Sequence, residues 1–237
     1  MKKLLLALSL SIALFGCSSL ELEAVSTSAE ETERILAMGL SHEENLVEAS
    51  KLKSSHMVSV VSLQLTNARD EKIQAKIDLA ASEEFSNMVN VLGNGSKFIG
   101  PEVSESIKTG VLQTDIDLQN YYFEGIKDLS SGKIEHKLVF SISYNSMNKR
   151  KYGSANICDE WNRCDMNKQE IKVISSNATN CTTSGCNHKE IMELNLGDEF
   201  LRNVADKGIT IRFNSKRKDN KIKVSKAYLM GYLMVVQ

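Results

Sequence analysis

Four cysteines in the second half of the chain are the residues whose types and spacing most directly suggest chemistry. Cys158, Cys164, Cys181 and Cys186 follow the pattern C-x5-C-x16-C-x4-C. Structural zinc sites usually separate paired cysteines by about two to four residues, so the first pair is too wide, although His188 could add a nitrogen ligand. In an oxidising compartment, an even number of thiols instead forms disulfides, and we therefore predict two disulfides and no metal or other cofactor.

The pairing of these cysteines can follow three connectivities. We favour Cys158–Cys164 and Cys181–Cys186, each closing a turn, and loops of that size stabilise a fold by about 2–2.5 kcal/mol each. The nested pairing, Cys158–Cys186 with Cys164–Cys181, would join neighbouring strands instead. The sequence does not distinguish these alternatives.

The loop between the first two cysteines contains Trp161, the only tryptophan, together with Arg163. Tryptophan and arginine are common anchors of binding interfaces, so a loop closed by a disulfide could present them to a partner. The alternative is that Trp161 covers the adjacent disulfide or an edge of the fold.

Short motifs for catalysis are present without the order that a known mechanism requires. Ser50–Lys53 fits S-x-x-K, residues 108–110 read K-T-G and residues 143–145 read S-x-N, as in penicillin-binding proteins and β-lactamases. In those enzymes S-x-N precedes K-T-G, whereas here it follows. No G-x-S-x-G, H-E-x-x-H, P-loop or EF-hand pattern is present. We therefore predict no catalytic residues.

The first 17 residues read MKKLLLALSLSIALFGC. Two lysines precede 13 uncharged, mostly apolar residues, a run too short to span a bilayer comfortably and typical of a signal peptide. The junction LFGC resembles the lipobox of bacterial lipoproteins. An ordinary secretory signal with a cysteine at its end is the alternative.

The resemblance to bacterial lipoproteins implies cleavage before Cys17 and attachment of diacylglycerol and palmitate to that residue. Several acyl chains anchor a protein firmly, because each buried CH₂ contributes about 0.8 kcal/mol. Ser18 stands where an aspartate would typically favour inner-membrane retention in Gram-negative lipoproteins, so the resemblance implies the outer membrane. We expect a cell-envelope protein anchored by lipid, facing the periplasm or the cell surface.

Charge is distributed unevenly along the mature chain. Residues 17–126 contain 8 Lys+Arg and 18 Asp+Glu, whereas residues 127–237 contain 19 and 12. Lys149-Arg150-Lys151 and Lys216-Arg217-Lys218 form two basic turns in the second part. Basic side chains near an anionic membrane surface contribute about 1 kcal/mol each, so we predict binding of anionic lipid, polysaccharide or an envelope protein, but not of nucleic acid. Solvated turns without a partner are the alternative.

Apolar periodicity predicts an α+β fold. Capping-box patterns at Ser28 and Ser41 indicate two helices. Residues 58–80 contain alternating apolar segments that predict a β-hairpin, with one continuous helix as the alternative. Short alternating segments typical of strands follow from about residue 120. We predict N-terminal helices with a hairpin, followed by an antiparallel β-sandwich-like domain with disulfides. The predicted regions are a signal peptide (1–16), a lipidated tether (17–27), an acidic α/β region (28–118) and a basic β-rich domain (119–237).

These observations favour a membrane-anchored envelope lipoprotein with a non-catalytic binding domain. An envelope hydrolase without a known motif and a surface-exposed adhesin are the alternatives.

Overall fold

The computed structural model describes residues 26–109, 115–159 and 163–237, except for the side chains of Thr109 and Asp115. Backbone contacts divide the chain into two compact units, Met1–Glu71 and Lys72–Gln237. This division lies within a helix, whereas the domain boundary predicted at residues 118/119 falls within a strand.

The described part of the first unit is helical. Its helices are α1 (Ser28–Leu36), α2 (His42–Ser50) and the first part of α3 (Ser55–Asn87). A small core joins them, formed by Ile35, Ala49, Val61 and Leu65. The capping box predicted at Ser41 is confirmed, whereas the one predicted at Ser28 begins at Thr27, whose hydroxyl accepts the Glu30 N–H.

The hairpin predicted over residues 58–80 is wrong, because this segment belongs to α3. Its alternating apolar residues are not packed against a sheet: Ile73, Ile77 and Leu79 are 49%, 55% and 46% exposed. Residues 55–87 include many good helix formers and contain neither glycine nor proline, so helix propensity prevails over the alternation.

The second unit contains one antiparallel sheet. Its described strands are β1 (Asn90–Leu92), β2 (Lys97–Ile99), β3 (Val103–Thr109), β4 (Asp115–Lys127), β5 (Ile134–Ser146), β6 (Tyr152–Cys158), β7 (Gln169–Thr182), β8 (Gly185–Leu196), β9 (Ile209–Ser215) and β10 (Asn220–Val224). The order across the sheet is β1-β2-β4-β5-β8-β7-β6-β9-β10, with β3 beside β4. The β6–β7 pairing is short and joins only two residue pairs, Ser154 with Glu170 and Ala155 with Gln169.

The sheet folds back on itself, because strands that are far apart in its order are in contact. Phe140 of β5 stacks on Phe213 of β9 with 4.2 Å between ring centroids. Gln119 and Tyr121 of β4 donate hydrogen bonds to backbone carbonyls of β10, at 2.9 and 3.1 Å. Two layers of strands therefore enclose a common core, which confirms the predicted sandwich-like antiparallel domain.

Two helices complete the second unit, α4 (Asp198–Val204) and α5 (Lys226–Val235). The C-terminal helix α5 inserts Tyr228 and Tyr232 into the core, where both rings lie 5.3–5.8 Å from Phe123. Burial of each such aromatic side chain stabilises the fold by about 1.5–3 kcal/mol. The strongly apolar C-terminal sequence thus forms a largely buried helix.

The described residues form two disulfides, and their pairing is the predicted one. Cys158 is bonded to Cys164 and Cys181 to Cys186, with sequence separations of 6 and 5. The first closes the loop after β6, and the second closes the turn between β7 and β8.

Candidate functional site

The two basic turns predicted from the sequence lie side by side. β6 pairs with β9 so that Tyr152 faces Ser215, which brings together the β5–β6 and β9–β10 turns. The backbone N–H of Lys216 donates a hydrogen bond to the Arg150 carbonyl at 3.1 Å. The exposed cations of this surface are Lys151, Lys216, Arg217 and Lys218. We call this surface the basic end.

Asp117 of β4 joins the two turns from inside. Its carboxylate accepts from the Arg150 guanidinium at 2.8 Å and from the Lys218 ammonium at 3.1 Å. Burial alone would raise the pKa of Asp117, but hydrogen bonds and charge from Arg150 and Lys218 hold it below its usual value. The carboxylate therefore stays ionised and fixes one cation from each turn.

Arg150 is an internal residue, not an exposed one. Its side chain is 7% exposed, and its guanidinium carbon lies 4.0 Å from the centre of the Tyr144 ring. The Arg150 guanidinium also donates a hydrogen bond to the Asn220 side-chain oxygen at 3.0 Å. Burial raises the pKa of the adjacent Tyr152 hydroxyl to about 12. Of the predicted binding residues, Arg150 therefore positions the turns and does not face solvent.

The conformation of the second basic turn is set by local hydrogen bonds. The Ser215 hydroxyl accepts from the backbone N–H groups of Arg217 and Lys218, and Asp219 accepts from the Ser215 N–H. Such serine and aspartate bonds are typical of tight turns. Lys149 of the first turn donates to the Ser176 carbonyl at 2.8 Å, so its head group is tied to β7.

The loop closed by Cys158 and Cys164 lies at the other end of β6 from the basic end. Six residue steps separate Tyr152 from Cys158, which is about 20 Å along a strand. The Asp159 carboxylate and the Arg163 guanidinium form an ion pair at 2.7 Å between the two ends of this loop. Trp161, predicted to be a binding residue, lies outside the described residues.

A cleft of about 870 Å³ borders this disulfide loop. Arg163 and the Cys158–Cys164 bridge line one side, and Lys221 and Lys223 of β10 line another. Glu105 of β3 also reaches the cleft, held by a hydrogen bond from Gln119 at 2.9 Å. Of the predicted site residues, Arg163 thus lies in a concave site with charges of both signs.

The second disulfide braces the basic end. Cys186 faces Ser146 at the end of β5, next to the first basic turn. His188, two residues later, is buried and contacts the Ser146 carbonyl at 3.0 Å. Within the described ranges, no group of three or more His, Cys, Asp or Glu residues is arranged to hold a metal.

Asp117 is not recognisable as a site residue from the sequence, because it is one of many acidic residues in the first half of the chain. Only the fold brings β4 beside the β9–β10 turn, 101 residues later. Nothing local in the sequence marks this carboxylate as the centre of the basic end.

Cys17, the predicted lipidation residue, lies outside the described residues. Among the helices that the structure describes, none is both long and apolar enough to cross a membrane. Comparison of the chain with protein-family models, curated proteins and solved structures gave no match. Its function must therefore be inferred from its own residues and contacts.

Proposed function

We propose that this chain is a lipid-anchored lipoprotein of a Gram-negative cell envelope, most consistent with the outer membrane, whose β-rich part is a non-catalytic binding module. The proposed anchor is supported by the order of the N-terminal segments: two lysines, an apolar run and the junction LFGC, which ends at Cys17. The binding role is proposed for an anionic envelope component, either a lipid, a polysaccharide or an acidic protein surface.

The proposed binding role is supported mainly by the position of the two basic turns, which lie side by side in the fold. Residues 149–151 and 216–218 are far apart in sequence but share one carboxylate, that of Asp117. Because Asp117 neutralises only one charge, Lys151, Lys216 and Arg217 remain as exposed cations, and no described residue forms an ion pair with any of them. A concentrated positive surface attracts anionic ligands and speeds their encounter.

The hydrolase alternative has weaker support. Within the described part of the chain, no serine hydroxyl bonds to a histidine ring, and the His136 ring contacts Tyr232 and Asp198 instead. The His136 side chain is fully buried, so a substrate would not reach it.

Anchoring is tested by metabolic labelling of the producing cells with radioactive palmitate. The wild-type chain should incorporate label and sediment with membranes, and Cys17→Ser should do neither. Label on the Cys17→Ser chain, or none on the wild type, would contradict the proposed anchor.

Binding is tested with the double variant Lys216→Gln/Arg217→Gln and the matched control Lys127→Gln/Lys133→Gln, which changes the opposite end of β4 and β5. Vesicles containing phosphatidylglycerol and soluble polygalacturonate serve as anionic probes. We expect the first variant to lose most of its affinity for the bound probe, more so at low salt, and the control to bind like wild type. Equal binding by both variants would refute the role of the basic end.

A further inference from the structure

The outer face of the β9–β10 hairpin continues the basic end along the strands. Ile209, Ile211 and Phe213 point into the core, so Thr210, Arg212 and Asn214 point outward. On β10 the outward residues are Lys221 and Lys223, both exposed. We call the surface formed by these five outward residues the hairpin face.

Arg212 is held in place on this face by neutral groups. Its guanidinium donates to the side-chain oxygens of Asn214 at 3.1 Å and Asn156 at 3.4 Å. Asn156 is itself fixed, because its amide donates to the Asp165 carbonyl at 2.7 Å. Among the described residues, no carboxylate pairs with Arg212. A guanidinium oriented in this way suits bidentate recognition of an external carboxylate.

The register of the hairpin places two lysines beside the arginine of this face. Lys221 lies directly opposite Arg212, and Lys223 opposite Thr210. Three basic side chains are therefore neighbours on the two strands of this hairpin.

The hairpin face also joins two surfaces described above. Thr210 and Lys223 line the cleft beside the disulfide loop, whereas Ser215 leads into the turn that carries Lys216 and Arg217. From Thr210 to Ser215 the distance is about 17 Å along the strand. The cations therefore form a line and not a single cluster.

We propose that the hairpin face binds a linear acidic polysaccharide, with Arg212 engaging a carboxylate at its centre and the basic end engaging further carboxylates of the same chain. This proposal rests on the binding role proposed above and names its ligand. A line of cations along a strand fits a linear polymer that offers carboxylates at intervals along its length. A flat membrane surface would touch the turns but would not follow the strand into the cleft.

The test is calorimetric titration of the detergent-solubilised full chain with polygalacturonate oligomers of increasing length. Affinity should rise with length until the oligomer covers both the strand, about 17 Å from Thr210 to Ser215, and the basic end beyond it, and should then level off. Arg212→Gln should weaken binding of long oligomers about tenfold, since a hydrogen-bonded charge is lost. Arg212→Lys should also weaken it, because an ammonium lacks the planar fork. The control Lys133→Gln should bind like wild type.

The variant Lys223→Gln provides a second affinity measurement, which does not depend on the contacts of Arg212. This variant should bind long oligomers more weakly than wild type does, with a smaller effect on short oligomers. Three results would overturn the proposal: affinity independent of oligomer length, full affinity in folded Arg212→Gln and Lys223→Gln chains, or binding to anionic vesicles without binding to polygalacturonate. In each of these cases, loss of binding in Lys216→Gln/Arg217→Gln alone would still support the broader role of the basic end. No binding of any anionic probe would overturn both.

Discussion

Asp117→Asn should be among the most damaging single substitutions in the β-rich unit. The Asp117 and Arg150 side chains are 2% and 7% exposed and contact each other at 2.8 Å. The substitution leaves the Arg150 guanidinium buried without its counter-charge, and breaking a buried pair on one side typically costs about 3–5 kcal/mol. For a chain of this length, that loss lowers the melting temperature by about 10 °C.

Urea unfolding followed by far-UV circular dichroism measures this loss. The matched control is Glu135→Gln, which removes a carboxylate from an exposed pair with Lys133 at 3.7 Å and should cost less than about 1 kcal/mol. Replacing both members of the buried pair, as Asp117→Leu/Arg150→Met, should restore much of the stability. If Asp117→Asn costs no more than Glu135→Gln, the claim that this carboxylate holds the basic end together is refuted.

Three further predictions concern the rest of the fold. Gly231→Ala should destabilise the fold by about 1–3 kcal/mol, although alanine favours helices, because the added Cβ would lie 2.7 Å from the Phe85 Cβ. Gly153→Ala, where the added Cβ meets open space, is the control in the same thermal melt. Burial lowers the pKa of His136 below 6.5 despite the opposing effect of Asp198, so the unfolded state binds more protons and stability should fall as the pH drops below about 6.5. The urea midpoint of the wild type should fall with pH across this range, and that dependence should be lost in His136→Gln. An unchanged pH dependence in His136→Gln would refute the role of His136. Non-reducing peptide mapping should recover the two short-range disulfides, and reducing them should cost about 2 kcal/mol each by the chain-entropy model, whereas a nested pair would contradict the structure.

The strands were predictable where one face is buried and the other is not. Leu138, Phe140, Ile142 and Tyr144 alternate in the sequence, and all four are buried in β5. The two short cysteine loops were also predictable, because pairing across a turn needs only local geometry. The alternation in residues 73–79 failed as a guide because helix α3 leaves those apolar residues exposed, so no sheet contact enforces their period.

The candidate site was only partly predictable for a physical reason. Basic residues in turns are visible in any sequence, but their proximity depends on the pairing of β6 with β9, which brings residues 152 and 215 together. The internal position of Arg150 depends on contacts with Tyr144 and Asp117 from two other strands. Long-range pairing of this kind leaves no local signature.

Anion binding by the basic end and the hairpin face is tested most directly by a heteronuclear NMR titration. The isotopically labelled full chain, in detergent micelles, is titrated with polygalacturonate. We expect the backbone amide shifts of residues 149–151, 210–218 and 221–223 to change. The Lys216→Gln/Arg217→Gln variant should lose these changes. Shifts confined to the opposite end of the sheet, around residues 128–133, or no shifts at all with this and other anionic probes, would contradict anion binding by these two surfaces.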